Sequence, residues 1–233
     1  MPQLTPVEWE ALNLSLHVAF WNVIVSLPIA IAVAWVLARF EFPGKILLNA
    51  FVHLPLILPP VVTGYILLIL LGTKGPVGAW LNSTFGIVVA FKWTGAVIAA
   101  AVMGFPLMVR AVRLSMETVD QRLEATAATL GASPVMVFLT VTLPLILPGI
   151  LAGMILTFAK GLGEFGATIT FVSNIPGETR TLPVAIYTFL QIPGGEASAI
   201  RLTVIAIVLS LLALLVSEML ARRTTRRLRG LDA

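Results

Sequence analysis

Two charges stand where an apolar chain has little use for them. Lys160 and Glu164 lie four residues apart in "FAKGLGEFGATITFVSN" (158–174). That spacing puts both on one face of a helix, close enough to pair. A charge at membrane depth faces a bundle interior or a water-filled cavity. The pair therefore either borders a pathway or gate, or fixes packing as a buried clamp. Gly161, Gly163 and Gly166 beside it leave a small-residue surface on which another helix can approach closely. Glu164 itself suits no anionic ligand, which it would repel. The remaining reactive residue types lead away from catalysis. His17 and His53 are far apart and lack metal-ligand spacing, so no metal site is expected. Cysteine is absent. There is no Gly-x-Ser-x-Gly, no His-Glu-x-x-His and no phosphate-binding Gly-x-x-x-x-Gly-Lys-Ser/Thr. The chain is expected to be no enzyme and to bind no cofactor. Any nucleotide that drives it must sit on another chain.

The elements that must position these residues follow from composition. Of 233 residues, 58% are hydrophobic and 11% charged, and mean hydropathy is +1.01. A soluble domain is roughly a quarter charged, so lipid must replace water over much of this surface. A span needs about 20 mostly apolar residues. Stretches 12–38, 46–72, 86–109, 143–165 and 199–221 qualify. The expected class is an all-α polytopic membrane protein with five transmembrane helices, one unit over 1–233 without internal repeat. The N-terminus carries Glu8 and Glu10 and no basic residue before the first apolar run, so no signal peptide is expected.

Net charge is +4. In a soluble protein the arginines Arg222, Arg223, Arg226, Arg227 and Arg229 would suggest nucleic acid; here the excess fits cytoplasmic loops. Arg39, Lys45, Arg110, Arg113, Arg122 and these five fall on one side; Lys74, Lys92, Lys160, Arg180 and Arg201 fall on the other or within spans. The richer side is the cytoplasm, giving N-terminus out and C-terminus in. Within "SNIPGETRTLPVAIYTFLQIPGGEAS" (173–198), two Pro-Gly pairs bracket a segment able to form a short helix at the outer membrane surface. Pro55, Pro59 and Pro60 in the second span, Pro106 in the third and Pro144 and Pro148 in the fourth free backbone carbonyls, as in helices that pack around something rather than stand alone in lipid.

The cytoplasmic loop, about 120–143, reads "DQRLEATAATLGASPVMVFLTVTL". Asp120 can cap a helix starting at Gln121, and Gly131 can end it in the left-handed region. Ser133-Pro134 supplies the next N-cap and first helical position. The second helix, about 134–141, carries Val135, Val137, Phe138 and Leu139. It is either a lever that presses into a partner's groove or a helix lying on the membrane; the absence of basic residues on it weighs against the latter.

The pattern Ala127-Ala128-x-x-Gly131-x9-Val141-x-Leu143-Pro144 resembles the coupling loop of permease subunits of bacterial binding-protein-dependent ABC importers. Their usual loop glutamate falls at Ala125 here, with Glu124 one residue earlier. Together with "HLPLILPPVVTGY", "GFPLMVRAVR" and "FAKGLGEFGATITFVSNIPGETRTLPVAIY", the chain is similar to molybdate-importer permeases; "GEFGA" is shared with sulfate permeases. The resemblance implies a type I-like permease of the bacterial inner membrane. It also implies a homodimer with the pathway at its two-fold axis, an ATPase dimer that binds the ATP, and a periplasmic oxyanion-binding protein. Gly131, Ala132, Ser133, Pro134, Val137 and Phe138 would dock to the ATPase. Thr63, Thr168, Thr170 and Ser173, with Lys160 and Glu164, are candidates to line or gate the path. Tungstate and sulfate share the dianion's charge and shape and remain open as substrates. An ATP-independent secondary transporter is the rival; such proteins show repeats and midplane ionisable clusters, and neither is found.

Overall fold

The structure, a computed structural model, describes residues 4–228. Arg229 and the side chains of Arg222, Arg223, Arg226 and Arg227 lie outside the described residues. The chain runs α1 (Pro6–Arg39), α2 (Lys45–Ile57), α3 (Pro60–Leu71), α4 (Pro76–Phe85), α5 (Trp93–Glu117), α6 (Gln121–Thr129), α7 (Pro134–Val137), a π-helical turn (Phe138–Thr142), α8 (Leu143–Leu162), α9 (Gly166–Val172), α10 (Leu182–Leu190) and α11 (Glu196–Leu228), with no strand among the described residues.

Four runs are long and apolar enough to span a membrane: α1, α5, Pro134–Leu162 and Glu196–Val216 of α11. The fifth expected span, 46–72, is divided. Between α2 and α3 the chain turns through 112°, because a residue before proline is pushed out of the α region. Leu58 before Pro59, and Pro59 before Pro60, both sit in extended backbone, with ψ of 142° and 133°. The third span also moves, from 86–109 to 93–117. Gly86 closes α4 in the left-handed region. Ile87–Phe91 is apolar but not helical, and Phe91 takes φ 61°, so the helix starts only after Lys92. It then outlasts Arg110 and Arg113, since Arg113 finds Glu117 at 2.8 Å and Asn49 at 3.0 Å.

The centre is α1, α5 and α8 packed together. Lipid is as apolar as leucine, so close approach by small residues must supply the contact. The buried face of α1 accordingly carries Ala11, Ser15, Ala19, Ser26, Ala30 and Ala34, and Gly104 of α5 faces Thr157 of α8. Asn22 bridges α1 to α8 through the Thr157 carbonyl at 3.0 Å. An outer cluster gathers Val18, Ala96, Met103, Phe171 and Val172; an inner one gathers Val23, Met108, Val112, Met116 and Ile146.

Distant pairs fix the sidedness of the helices. The starts of α1 and α11 meet through Glu8 and Arg201. The start of α5 meets the 173–180 loop where the Trp93 N–H donates to Glu178. The end of α1 meets α6 through Arg39 and Glu124. The termini of the bundle and its loops thus sort into the two faces that the basic residues imply. The short helix expected at the outer membrane surface does form, as α10, but it turns inward: Leu182, Val184 and Ala185 are buried, and α10 packs on α1 and α11 around Leu202. Its Leu182 N–H donates to the buried Ser15 hydroxyl at 2.6 Å.

Candidate functional site

The loop between α5 and α8 is built by local signals. Asp120 accepts from the Arg122 N–H at 2.9 Å. At the other end of α6, the Gly131 N–H donates to Ala128 and the Ala132 N–H to Ala127, a Schellman closure. Gly131 has φ 90°, which glycine adopts cheaply. The Ser133 hydroxyl then accepts from the Met136 N–H, with Pro134 in the first turn. The short helix does not end before the membrane. It runs through the π-helical turn into α8 as one 29-residue rod. Pro144 has no N–H to give Thr140, and the turn absorbs that defect: the Leu143 N–H reaches back to Phe138.

This turn sets which side of the lever faces out. Val135, Met136 and Leu139 are exposed, as is Leu130 at 84%. Of the residues expected to dock, Gly131, Ser133 and Pro134 are exposed and Ala132 is half-buried. Val137 is buried and Phe138 packs on the inner cluster. These two therefore anchor the lever to its own bundle. Val135, Met136 and Leu139 present the apolar surface, and they had the right residue type in sequence but no phase. Behind the lever lies an open groove of about 680 Å³ walled by Pro28, Ile31 and Trp35 of α1 and by Ala128, Val135 and Phe138.

The second region is the break between α8 and α9. Lys160 and Glu164 pair at 2.8 Å, as their spacing suggests, but not on one helix. The helix α8 ends at Leu162. One Glu164 oxygen takes the Lys160 ammonium, and the other accepts the Ala167 N–H in the first turn of α9 at 3.0 Å. The carboxylate is 2% exposed and both oxygens are engaged, so it joins two helix ends.

The helices α9 and α3 meet at backbone distance. A Cβ on Gly64 would lie 2.5 Å from the Ala167 carbonyl, and one on Gly166 2.7 Å from Pro60. Two interrupted helices thus abut, α2–α3 against α8–α9. Thr63 is buried in this junction, its hydroxyl without a hydrogen-bond partner. Thr168 is buried; Thr170 spends its hydroxyl on the Gly166 carbonyl at 2.8 Å. Ser173 is exposed at the outer end of α9, at φ 65°. Its carbonyl accepts from Thr179 at 3.2 Å. The six candidates for the path therefore share one neighbourhood without converging on a single pocket. His17 stacks edge-on with Trp93 at 4.7 Å and His53 bonds the Asn49 carbonyl; both are structural. Glu8–Arg201 and Arg39–Glu124 were not legible in sequence, since their partners are 193 and 85 residues apart.

Residues 26–226 match the model of the binding-protein-dependent transport system inner membrane component family. The chain belongs to this family. It is an inner-membrane transport subunit, not an enzyme, and works with a binding protein. It is 59% identical to the "Molybdenum transport system permease protein ModB" of Escherichia coli K12, over 96% of this chain and 98% of that one. It is 37% identical to the "Sulfate transport system permease protein CysT" of the same organism, over 94% of this chain and 79% of that one. Its fold matches a chain of a bacterial ABC transporter involved in the import of the acidic polysaccharide alginate, with a TM-score of 0.74 at 16% identity, covering 94% of this chain and 80% of that one.

Proposed function

We propose that this chain is the permease subunit of an ATP-driven importer that carries molybdate from a periplasmic binding protein to the cytoplasm. The observation that carries the reading is the end-to-end similarity to a molybdenum permease at 59% identity, against 37% for a sulfate permease of which a fifth is left uncovered. Two copies of the chain enclose the path, and an ATPase dimer holds the ATP. Val135, Met136 and Leu139, with Gly131, Ser133 and Pro134, meet the ATPase, because a lever with uncovered apolar side chains on a charge-rich side calls for a protein groove. Lys160 and Glu164 hold the α8–α9 junction, and Thr63, Thr168, Thr170 and Ser173 border the path.

Uptake of radiolabelled molybdate by cells lacking other importers tests this. Unlabelled molybdate and tungstate should compete, and sulfate should compete only in large excess. Equal competition by sulfate would move the substrate to sulfate. Uptake that survives ATP depletion but not collapse of the proton gradient would replace the whole reading with a secondary transporter.

A further inference from the structure

α6 is a helix with little packing to hold it. None of its nine residues is buried, and its apolar Leu123 is half in solvent. What fixes it is one carboxylate. Glu124 Oε1 accepts from the Arg39 guanidinium at 2.7 Å and from the Thr142 hydroxyl at 2.7 Å. Arg39 is the last residue of α1 and Thr142 the last of the π-helical turn. The carboxylate thus ties three elements at one oxygen: the end of the first membrane helix, the docking loop and the root of α8.

The clamp is sheltered: the Arg39 side chain is 11% exposed and Glu124 22%. Such charge-assisted bonds are short and strong. Arg39 Nε is buried without a partner, so the guanidinium has no second anion among the described residues. Pairing that is removed on one side leaves an uncompensated charge at the edge of the bundle.

We infer that Glu124 is a positioning residue that faces inward, and that the Glu124–Arg39–Thr142 clamp passes the movement of the docking loop to the inner end of α1. This rests on the importer reading above. The apolar lever α7 already continues into α8, so a push on it moves α8 directly. Without the clamp, α1 and α8 remain joined along their packed faces and through Asn22, but α6 and the inner end of α1 lose their direct bond. Docking surface and clamp are then separate: Val135 and Met136 set whether the ATPase binds, and Glu124 sets whether binding does work.

The complex of permease, ATPase and binding protein in proteoliposomes tests this with E124Q, R39M and the exchange R39E/E124R. In both single variants the ATPase should co-purify undiminished, while molybdate moved per ATP falls about tenfold, within the usual range of coupling between linked sites. The exchange should recover most of the loss. Loss of co-purified ATPase in E124Q but not in R39M would show that Glu124 faces the partner and overturn the inference, as would normal coupling in both. Should E124Q fail to reach the membrane, T142V keeps both charges and removes one bond to the same oxygen; coupling should fall about threefold, near the worth of one hydrogen bond, and unchanged coupling overturns the inference. A wild-type complex that moves no molybdate fails the importer reading instead. Tryptic cleavage at Arg122 then still reads the clamp without substrate. It should be faster in E124Q than in wild type, and equal rates overturn the clamp.

Discussion

The outer half of the molecule pairs its buried carboxylates within itself, and the inner loop does not cover its apolar side chains. At the outer end of α1, Glu8 is wholly buried against Arg201 at 2.6 Å and also caps the helix it belongs to. Farther in, Glu164 divides its two oxygens between Lys160 and Ala167. At the inner end, Leu130, Val135, Met136 and Leu139 stand exposed on the side with the basic residues. Removing one partner of a pair as buried as Glu8–Arg201 leaves an uncompensated charge and is costly. An exposed apolar lever, by contrast, is incomplete alone. The difference separates the part of the chain that holds the fold from the part that waits for a partner.

The comparison breaks first, if it breaks, at the outer pair. Arg201→Met strands the buried Glu8 carboxylate and should destabilise the detergent-solubilised protein by about 3–5 kcal/mol. Unfolding at an unchanged denaturant midpoint would mean that the outer half is not internally locked. On the inner side, Val135→Asp and Met136→Asp should leave the membrane level of the permease intact and cut ATPase co-purification roughly a hundredfold, since a charge would be desolvated in the groove. Val137→Ala sharpens the contrast: the ATPase should stay bound while stability falls by about 1 kcal/mol, the loss of buried methyl groups.

The α8–α9 break lies between these extremes. Glu164→Gln keeps the shape of the side chain and weakens its bond to Lys160. Expression and ATPase binding should hold, and uptake should fall roughly tenfold, the worth of one charge-assisted bond. Uptake equal to wild type would remove Glu164 from the working parts. The smallest effect is expected at Thr63. Its hydroxyl has no partner, so Thr63→Val should change stability by less than about 0.5 kcal/mol or improve it. A severalfold fall in uptake at unchanged stability would put that hydroxyl on the path.

Much of this was written in local sequence. Asp120, Gly131 and Ser133-Pro134 act over a single helical turn, and each ends or starts a helix where its chemistry requires. The apolar runs around α1, α8 and α11, and the sides on which the basic residues collect, depend on lipid and water rather than on neighbours in the fold. Pro55, Pro59 and Pro60 marked 46–72 as a helix with freed backbone carbonyls, but the 112° turn also needed α3 to lie against α9, where Gly64 admits the Ala167 backbone. Ile87–Phe91 is as apolar as a span, but the left-handed backbone at Gly86 and Phe91, with Val89 and Ala90 buried between them, delays α5 to Trp93. The direction of Val137 and Phe138 depended on a π-helical turn that a missing N–H at Pro144 makes tolerable but does not dictate. Glu124 carried the right charge with no visible partner. Arg39 reaches it only because α1 and α8 pack side by side, and that contact joins residues 85 apart, far beyond the three or four over which helical sequence speaks for itself.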